Sequence, residues 1–514
     1  MNVTPDFNSF ARNWRAGKNQ TIWTTLVSDM ETPVSAMLKL GQDKPYCFLL
    51  ESMEGGAVRG RYSIIGREPD LIWRCAGGKT SINRNALKDA DTFAASSNEP
   101  LNDLRTLLDE CKIDELNQPQ PMAAGLFGYL GYDMVRYMER LPDAKGVGIG
   151  APEAILIRPT LLAIFDQIEN KFTLVTPAWF DKAQTAEDAY EAAQERLQKA
   201  LTDIANTAGV IPAKRDIHPE SEMDSHLRGN DAPGTEPTSN MTEAEFVGMV
   251  NHAKKYIKAG DIFQVVLSQR FSLPFTLPPL SLYRTIRRLD PSPFLFYFNL
   301  KEFSVVGSSP EILVRVRDNK VTIRPIAGTR PRGIGNRTDS ELATELLADP
   351  KELSEHLMLL DLGRNDVGRV AKIGSVKVTA RNTIEYYKHV MHIVSNVEGE
   401  LDPQHTPLDA LIGGFPAGTV SGAPKVRAME IIAELEPDRR GVYAGCIGYF
   451  GANGTMDTAI AIRTAVIKDG VMHVQAGAGI VYDSDPQSEY RECLAKARGM
   501  IKAAEETIAA TKSK

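Results

Sequence analysis

The chain has 514 residues, a formal net charge of -7, 43% hydrophobic residues and 24% charged residues. These values are typical of a soluble globular protein with two to four lobes, since the length exceeds the usual size of one domain. The mild charge, and the lack of any stretch that interleaves clustered Lys and Arg with aromatic residues, exclude nucleic acid as an expected partner.

Cysteine usage and the first residues of the chain bear on its location. The five cysteines are scattered, odd in number and without metal-ligand spacing, which favours a reducing cytoplasm. Residues 1–15 contain no apolar core, so we do not expect a signal peptide there. No apolar run approaches the roughly 20 residues of a membrane span. We therefore expect a cytoplasmic protein without a membrane partner.

The first region, residues 1–210, contains short strand patterns separated by Gly, Pro and Asp. A helix is predicted over residues 186–205, where apolar residues recur at helical spacing. The following segment, residues 211–241, is rich in Pro, Ser, Asp and Gly, so we expect a flexible linker or a tolerated insertion. The strands predicted in the first region span residues 47–50, 63–65, 71–74, 154–165 and 171–175.

The remaining region, residues 242–514, alternates strands with helices. Thr242 followed by Glu245 is a capping-box pattern, which predicts the start of a helix that continues to residue 259. A proline in the first turn predicts another helix over residues 426–435. The strands predicted here span residues 262–271, 294–300, 304–307, 312–317, 320–325, 456–467 and 471–478.

One eight-residue sequence pattern, here called the echo segments, occurs in both regions. Residues 124–131 are AGLFGYLG and residues 444–451 are AGCIGYFG, with glycine at every third position. Glycine inside an apolar strand indicates close approach of another backbone, so we expect similar packing at equivalent places in two lobes. Coincidence is the alternative.

Two glutamate pairs are candidate magnesium ligands. Glu352 and Glu355 head one helical run, and Glu489 and Glu492 head another, with Lys496 on the same face as the second pair. Residues at i and i+3 share a helix face, so two such helices facing each other would offer the carboxylate oxygens that Mg²⁺ prefers. The alternative is that both pairs are solvated helix surfaces.

Small-residue segments mark places where a ligand can approach the backbone. Gly477, Ala478 and Gly479 end a predicted strand. Residues 413–425 form a Gly-rich approach to the helix at 426–435, whose free N–H groups favour an anion. The segment lacks the Gly-Lys-Ser/Thr ending of a phosphate loop, so we do not expect a nucleotide site.

Two basic side chains are further candidates. Arg463 is predicted near a strand end, where a guanidinium suits a bidentate grip on a carboxylate, with an internal ion pair as the alternative. His392 lies on a predicted apolar strand. It is either a hydrogen-bonded core residue or, beside a magnesium-bound anion, a proton donor.

Together, five motifs resemble those of the chorismate-binding enzymes. The resemblance extends from about residue 22 to residue 504. It implies an α+β fold in which large antiparallel β-sheets pack face to face with helices on the outside, with chorismate as the substrate and Mg²⁺ as the cofactor. The motifs are PIAGT at 325–329, ExxEH at 352–356, DLGRND at 361–366, GTVSGAPK at 418–425 and GAGIV at 477–481.

Two positions resemble the anthranilate-forming branch of that family. Aminodeoxychorismate synthases, the nearest alternative, carry a nucleophilic lysine where this chain has Ala327, and alanine cannot form the covalent adduct. Isochorismate and salicylate synthases use a lysine to activate water where Gln264 aligns. Glutamine is not a base, so ammonia, which is already nucleophilic, is the expected attacking group.

The resemblance implies a role for each site residue. Ammonia adds at ring C2 of chorismate, the C4 hydroxyl departs, and pyruvate is eliminated to leave anthranilate. The implied magnesium ligands are Glu355, Glu492 and Glu489, and the implied catalytic residues are His392, Thr419, Gln264 and Glu352. The implied substrate-binding residues are Gly328, Thr329, Tyr443, Arg463, Gly477, Ala478, Gly479 and Lys496.

The resemblance also implies a tryptophan feedback site and a partner. None of the five cysteines lies in the Gly-x-Cys-x-Gly setting of an amidotransferase. We therefore expect ammonia from a separate glutamine amidotransferase subunit, in a heterotetramer of two large and two small subunits. The expected tryptophan-binding residues are Leu50, Glu51, Ser52, Pro293, Phe294 and Leu295.

Two readings outside this branch stay open at the level of sequence. One is a non-catalytic amino-acid-binding regulator, against which the complete set of four glutamates argues. The other is an unrelated magnesium phosphotransferase, against which the missing phosphate loop argues.

Overall fold

The computed structural model describes residues 2–28, 31–41, 44–54, 58–114, 118–206, 236–333 and 337–512. The α-helices within these residues are α1 (Phe7–Arg15), α2 (Pro33–Gly41), α3 (Pro100–Glu110), α4 (Ala186–Ala205), α5 (Glu243–Ala259), α6 (Pro279–Leu289), α7 (Asp339–Ala348), α8 (Pro350–Gly368), α9 (Pro407–Gly414), α10 (Lys425–Leu435) and α11 (Pro486–Lys512).

The described strands of the first region are β1 (Gln20–Val27), β2 (Cys47–Glu54), β3 (Val58–Ala76), β4 (Lys79–Asn83), β5 (Ala94–Ala95), β6 (Gly125–Leu130), β7 (Ala154–Asp166) and β8 (Lys171–Ala178). Those of the second region are β9 (Thr238–Ser239), β10 (Gln264–Pro274), β11 (Phe294–Asn299), β12 (Phe303–Ser309), β13 (Ile312–Arg317), β14 (Lys320–Ile323), β15 (Ile326–Pro331), β16 (Lys377–Tyr386), β17 (Val390–Glu400), β18 (Gly422–Ala423), β19 (Cys446–Gly451), β20 (Met456–Ile460), β21 (Thr464–Lys468) and β22 (Val471–Ile480).

The long strands β3 and β7 join two antiparallel sheets. One sheet runs in the order β9-β10-β22-β21-β12-β11-β2-β3-β7-β8-β1. The other runs β4-β3-β7-β6-β19-β20-β13-β14-β17, with β16 on the far edge of β17. Because both β3 and β7 contribute to both sheets, the two sheets are continuous at this corner.

The two sheets pack face to face. Phe48 of β2 stacks on Phe127 of β6 with ring centroids 4.7 Å apart, and on Phe298 of β11 at 5.2 Å. This buried cluster is built from strand and loop residues, whereas two further apolar clusters combine strand residues with helix residues. Helices therefore cover the outer faces, and the predicted α+β architecture is confirmed.

The echo segments are neighbours in one sheet. β6 pairs with β19 so that Gly128 lies opposite Gly448. A side chain at Gly128 would meet the carbonyl of Ile155 at 2.0 Å, and one at Gly448 would meet the carbonyl of Asp457 at 2.0 Å. The expected close backbone packing is confirmed, but the two segments pair with each other instead of occupying separate lobes.

Local signals define several elements well. α4 has the predicted bounds, and the capping box of α5 is formed, with Glu245 N donating to Thr242 Oγ1 at 3.3 Å and Thr242 N donating to Glu245 Oε2 at 2.7 Å. The single strand predicted over residues 456–467 is wrong. β20 ends at Ile460 and β21 begins at Thr464, because Arg463 between them has a left-handed backbone with φ 48°.

The predicted linker lies mostly outside the described residues. Residues 211–235 of the segment 211–241 are not described, and its end forms the short strand β9 on the edge of β10. The division into regions 1–210 and 242–514 stays a prediction, although β2 pairs with β11 and β6 pairs with β19 across it. No helix of the described residues has the length and apolar character needed to cross a membrane.

Candidate active site

The two glutamate pairs lie on α8 and α11 as predicted. α8 begins at Pro350, with Asp349 as N-cap accepting from Lys351 N and Glu352 N. α11 begins at Pro486, and Glu489 lies in its first turn. Each pair therefore lies near the N-terminal end of its helix, where the helix dipole favours negative charge. The i and i+3 spacing places the two members of a pair on one face of that helix.

The carboxylates influence one another across the site. Burial raises the pKa of Glu355, and the neighbouring Glu352 and Glu492 carboxylates raise it further. Burial also raises the pKa of Glu489, to which Glu492 adds. Lys496 opposes both shifts, and its Nζ lies 2.7 Å from Glu492 Oε1 and donates to Gly477 O at 3.0 Å. α8 and α11 thus present their charges to a shared space.

The donor set fits a hard cation chemically, although no metal-holding cluster is preassembled. Among the described residues, no group of three or more His, Cys, Asp or Glu side chains is close enough together to hold a metal ion. Glu352 Oε1 accepts from Arg330 Nη1 at 2.9 Å, so one of its oxygens is already occupied. Burial, and after it the neighbouring carboxylates, raise the pKa values of Glu355 and Glu489, and a bound cation would favour the ionised form of both.

His392 on β17 is fixed against β15. Its Nδ1 lies 3.1 Å from Gly328 O and 3.0 Å from Thr329 Oγ1. A carbonyl oxygen only accepts, so Nδ1 carries the proton that it donates to Gly328. Burial lowers the pKa of His392 to about 4, so the imidazole is neutral at pH 7 and Nε2 is an acceptor.

Glu311 is a site residue that the sequence reasoning missed. It is reached by Thr419 of the turn Gly418–Val420, whose Oγ1 donates to Glu311 Oε2 at 2.9 Å. Burial raises the pKa of Glu311, while the charges of Arg463 and Lys496 lower it. It stands alone in the sequence after Ser309-Pro310, without a second acid at helical spacing, so no local pattern pointed to it.

Gln264 begins β10 and faces Glu355. It donates a side-chain hydrogen bond that lowers the pKa of Glu355, and a side chain at Gly479 would meet Gln264 Nε2 at 2.5 Å. Gln264 is 4% exposed, and its Oε1 has no hydrogen-bond partner among the described residues. The glycine at 479 therefore makes room for Gln264, whose buried Oε1 is an unpartnered acceptor among the described residues.

Tyr443 and Arg463 approach from the other side. A side chain at Gly477 would lie 2.9 Å from the Tyr443 hydroxyl, and burial raises the pKa of Tyr443. Arg463 lies between two strands, with Nη1 3.4 Å from Ser292 Oγ and 3.8 Å from Asp290 Oδ2. These contacts leave the guanidinium only loosely paired, as a carboxylate-binding group requires.

Two other predicted features have local explanations. Ala478 pairs with Leu267 in the β10–β22 ladder, and Ala327 pairs with Ile393. At the helix start expected to bind an anion, Lys425 Nζ donates to Asp366 Oδ2 at 2.8 Å and to Gly414 O at 3.4 Å, and the anion site there stays a prediction.

Most of the expected tryptophan-binding residues line a separate cavity of about 70 Å³. Its apolar wall includes Phe296 and Ile64, and the Arg317 and Asp457 ion pair, 2.6 Å apart, lies at its polar end. Sequence reasoning missed that ion pair because its members are distant in the chain. Pro293 is not a lining residue, whereas Leu50, Glu51, Ser52, Phe294 and Leu295 are.

Glu51 is less available to a ligand than expected. Its Oε1 and Oε2 accept from Arg287 Nε at 2.7 Å and Arg287 Nη2 at 3.1 Å, and Tyr283 of α6 also donates to it. Ser52 also lines the cavity and is half-buried, and its Oγ donates to Tyr62 O at 3.0 Å. The carboxylate of Glu51 is therefore an anchor between β2 and α6.

Comparisons with known proteins agree with this architecture. The family model described as chorismate binding enzyme matches residues 68–502. Anthranilate synthase component 1 of Cereibacter sphaeroides is 53% identical over 500 residues, covering 97% of this chain and 97% of the relative. The crystal structure of anthranilate synthase component I from Streptococcus pneumoniae matches with a TM-score of 0.73 at 35% identity, covering 93% of this chain and 99% of that chain.

A more distant structure shares the fold alone. The menaquinone-specific isochorismate synthase of Escherichia coli matches with a TM-score of 0.67 at 20% identity, covering 97% of this chain and 98% of that chain. The family model covers well over half of the chain, and its residues 68–502 include strands of both sheets and every glutamate of the site. This chain is a member of the chorismate binding enzyme family.

Proposed function

We propose that the chain is the synthase subunit that converts chorismate and ammonia to anthranilate and pyruvate, the first committed step of tryptophan biosynthesis. The observation that carries the proposal is Gln264, a buried amide with an unpartnered oxygen at the position where water-using relatives have a base. The absence of a nucleophile at Ala327 also favours this reaction over aminodeoxychorismate synthesis. The names of the most similar relatives support the same assignment.

Magnesium is the proposed cofactor. Glu355 and Glu492 would hold it, with Glu489 and Glu352 in support; bound there, Mg²⁺ would neutralise the ring carboxylate and draw electron density from the ring. Lys496 limits the negative charge of the acid cluster through its contact with Glu492. We assign the ring-carboxylate side of the substrate to Gly328 and Thr329 of β15 and to Gly477, Ala478 and Gly479 of β22.

Proton transfer is assigned to Glu311 and Thr419. Burial favours the protonated form of Glu311, and Thr419 orients its carboxyl group. We therefore propose that Glu311 delivers a proton to the departing hydroxyl, because neutral His392 holds its only proton against Gly328. His392 fixes the β15 bend and offers Nε2 as an acceptor, which revises its expected role as proton donor.

The nucleophile and the second carboxylate have distinct binding groups. Ammonia can donate to the free Oε1 of Gln264, which orients its lone pair without removing a proton. Arg463, loosely held by Ser292 and Asp290, pairs with the enolpyruvyl carboxylate, and the Tyr443 hydroxyl adds a hydrogen bond. The two ends of the substrate are thereby fixed from opposite sides.

Regulation and ammonia supply complete the proposal. Tryptophan occupies the cavity beside Ser52, Phe294 and Leu295, whose apolar wall suits an indole ring. Ammonia comes from a separate glutamine amidotransferase subunit, in a cytoplasmic assembly of two large and two small subunits. The names of the relatives, component 1, support a second component.

The test is an assay of the purified chain with chorismate, magnesium and an ammonium salt. Anthranilate fluorescence is followed with and without tryptophan. We expect an ammonium-dependent signal that tryptophan suppresses. Chorismate consumed without anthranilate would contradict the proposed product, and chorismate left unchanged would contradict the catalytic function itself.

A further inference from the structure

A buried ion pair joins several segments that carry site residues. Arg440 and Glu436 are 5% and 4% exposed. Arg440 Nη2 and Nε donate to the Glu436 carboxylate at 2.6 and 2.9 Å. Removing both charges from water is costly, so such a pair is retained only where its further hydrogen bonds offset that cost or give the fold specificity.

The remaining donors of Arg440 bind two backbone carbonyls on different segments. Nη1 donates to Val420 O and Nη2 donates to Val266 O, each at 2.7 Å. Val420 directly follows Thr419, and Val266 lies two residues after Gln264 in β10. One planar guanidinium therefore fixes the separation between Thr419 and Gln264.

Glu436 and an aromatic ring extend the same network. Glu436 Oε1 accepts from both Ser268 N and Ser268 Oγ at 2.8 Å, and Ser268 pairs with Gly477 across the β10–β22 ladder. The ring centroid of Tyr443 lies 5.6 Å from the guanidinium carbon of Arg440. The Arg440 and Glu436 pair therefore contacts Ser268, which pairs with Gly477 of the proposed ring-carboxylate region. It also contacts Tyr443, which is assigned to the enolpyruvyl carboxylate.

We propose, on the basis of the function above, that Arg440 and Glu436 are positioning residues for the reaction. Ammonia adds to the substrate ring beside Gln264, and the hydroxyl leaves the same ring beside Thr419. The segments that carry Gln264 and Thr419 must therefore keep a fixed separation. The guanidinium does not line the site itself; it acts through Gln264, Thr419 and Tyr443. A displacement of about 1 Å between such groups costs about a hundredfold in rate.

Two variants separate positioning from simple stabilisation. Arg440→Met leaves the Glu436 carboxylate buried without its cation, so we expect a lower Tm and a kcat about a hundredfold lower. The double variant Arg440→Met/Glu436→Gln removes both charges and keeps an amide oxygen that accepts from Ser268. We expect it to regain much of the Tm while kcat stays low.

Arg67→Met is the matched control. The Arg67 side chain is 1% exposed, its Nη2 lies 2.8 Å from Asp203 Oδ2 and its Nη1 donates to Leu40 O at 2.8 Å, and neither partner is a proposed site residue. We expect this variant to lower Tm as Arg440→Met does, while the kcat of the folded enzyme at 25 °C stays at the wild-type value.

Chorismate consumption and anthranilate formation are measured separately for every variant. A kcat that recovers with Tm in the double variant would overturn the positioning role, as would a wild-type kcat in Arg440→Met. A wild-type chain that consumes chorismate without forming anthranilate would contradict the proposed function alone, because the ratio of consumption rates still reports positioning. A wild-type chain that consumes no chorismate would contradict both.

Discussion

The cavity proposed for tryptophan and the candidate active site are built in opposite ways. The cavity is enclosed by strands of both sheets and lined largely by apolar side chains, with its one charged pair, Arg317 and Asp457, already matched. The candidate active site gathers carboxylates, and burial together with neighbouring carboxylates raises the pKa of Glu355 and Glu489. Packing therefore shapes the first site before any ligand arrives, whereas the second site depends on charges that ligands must balance.

The largest difference between the two sites is expected when one carboxylate of the candidate active site is removed. Glu355→Gln should lower kcat by about a thousandfold, because the acid cluster loses a proposed magnesium ligand. Tryptophan affinity should stay unchanged, since the cavity is held by packing. Steady-state assays over a magnesium series, with tryptophan binding by calorimetry, measure both.

Glu505→Gln is the matched control for that prediction. Glu505 is an exposed glutamate on the same helix, α11, as Glu489 and Glu492. We expect wild-type kcat and magnesium dependence from this variant. A Glu355→Gln enzyme with wild-type magnesium dependence would remove Glu355 from the metal site.

Substitution of His392 tests whether a neutral side chain contributes to kcat at a site that contains mostly charged groups. His392→Ala should lower kcat by about a hundredfold, because the β15 bend at Gly328 and Thr329 loses its support. The KM for chorismate should change little. His405→Ala, at an exposed position, should behave as wild type. Wild-type turnover in His392→Ala would make the imidazole a core residue without a catalytic part.

Acid should weaken the active-site region through a second buried histidine. Burial lowers the pKa of His356 to about 4 from 6.5, and its Nε2 lies 2.7 Å from Ser395 Oγ. The unfolded chain binds the proton more readily, so this contribution to the free energy of unfolding is complete above pH 6.5 and is lost as the pH falls towards 4.

The histidine contribution is isolated by comparing wild type with His356→Asn. Between pH 7 and pH 5 the free energy of unfolding of wild type should fall by about 2 kcal/mol more than that of the variant. Urea unfolding at the two pH values measures it. Parallel pH profiles would mean that the His356 pKa is not lowered. No histidine lies among the described lining residues of the tryptophan cavity.

The smallest expected effect is that of a substitution in the cavity proposed for tryptophan. Ser52→Phe should fill part of the tryptophan cavity and raise the tryptophan concentration for half-inhibition by more than about tenfold. Ammonium-dependent kcat should stay near wild type. Ser97→Phe, at an exposed position, is the control. Unchanged inhibition in Ser52→Phe would place the feedback site elsewhere.

Local sequence signals predicted what depends on neighbours in the chain. The α5 capping box and the glutamate spacing on α8 and α11 appear in the structure as expected, because each is decided within one or two helical turns. The break at Arg463 was missed because its flanking residues have uniform strand propensity. Its left-handed backbone is set by tertiary contacts, including the hydrogen bond from Ser308 N to Arg463 O.

Long-range partners could not be read from the sequence. Glu311 meets Thr419 across 108 positions, and Arg440 meets Val266 across 174 positions. The resemblance to chorismate-binding enzymes supplied residue roles but gave no contacts, so it could not reveal that Glu352 is bound by Arg330 or Glu51 by Arg287. Such contacts exist only once both sheets have formed.

The ladders between β2 and β11 and between β6 and β19 have a consequence for a severed chain. A cut between residues 206 and 236 would release two fragments, each with exposed strand edges that pair only with the other fragment. Unsatisfied edges promote self-association, so each fragment alone should aggregate. Fragments produced together should instead pair through these strands. Recovered enzyme activity would then report that the two fragments have assembled.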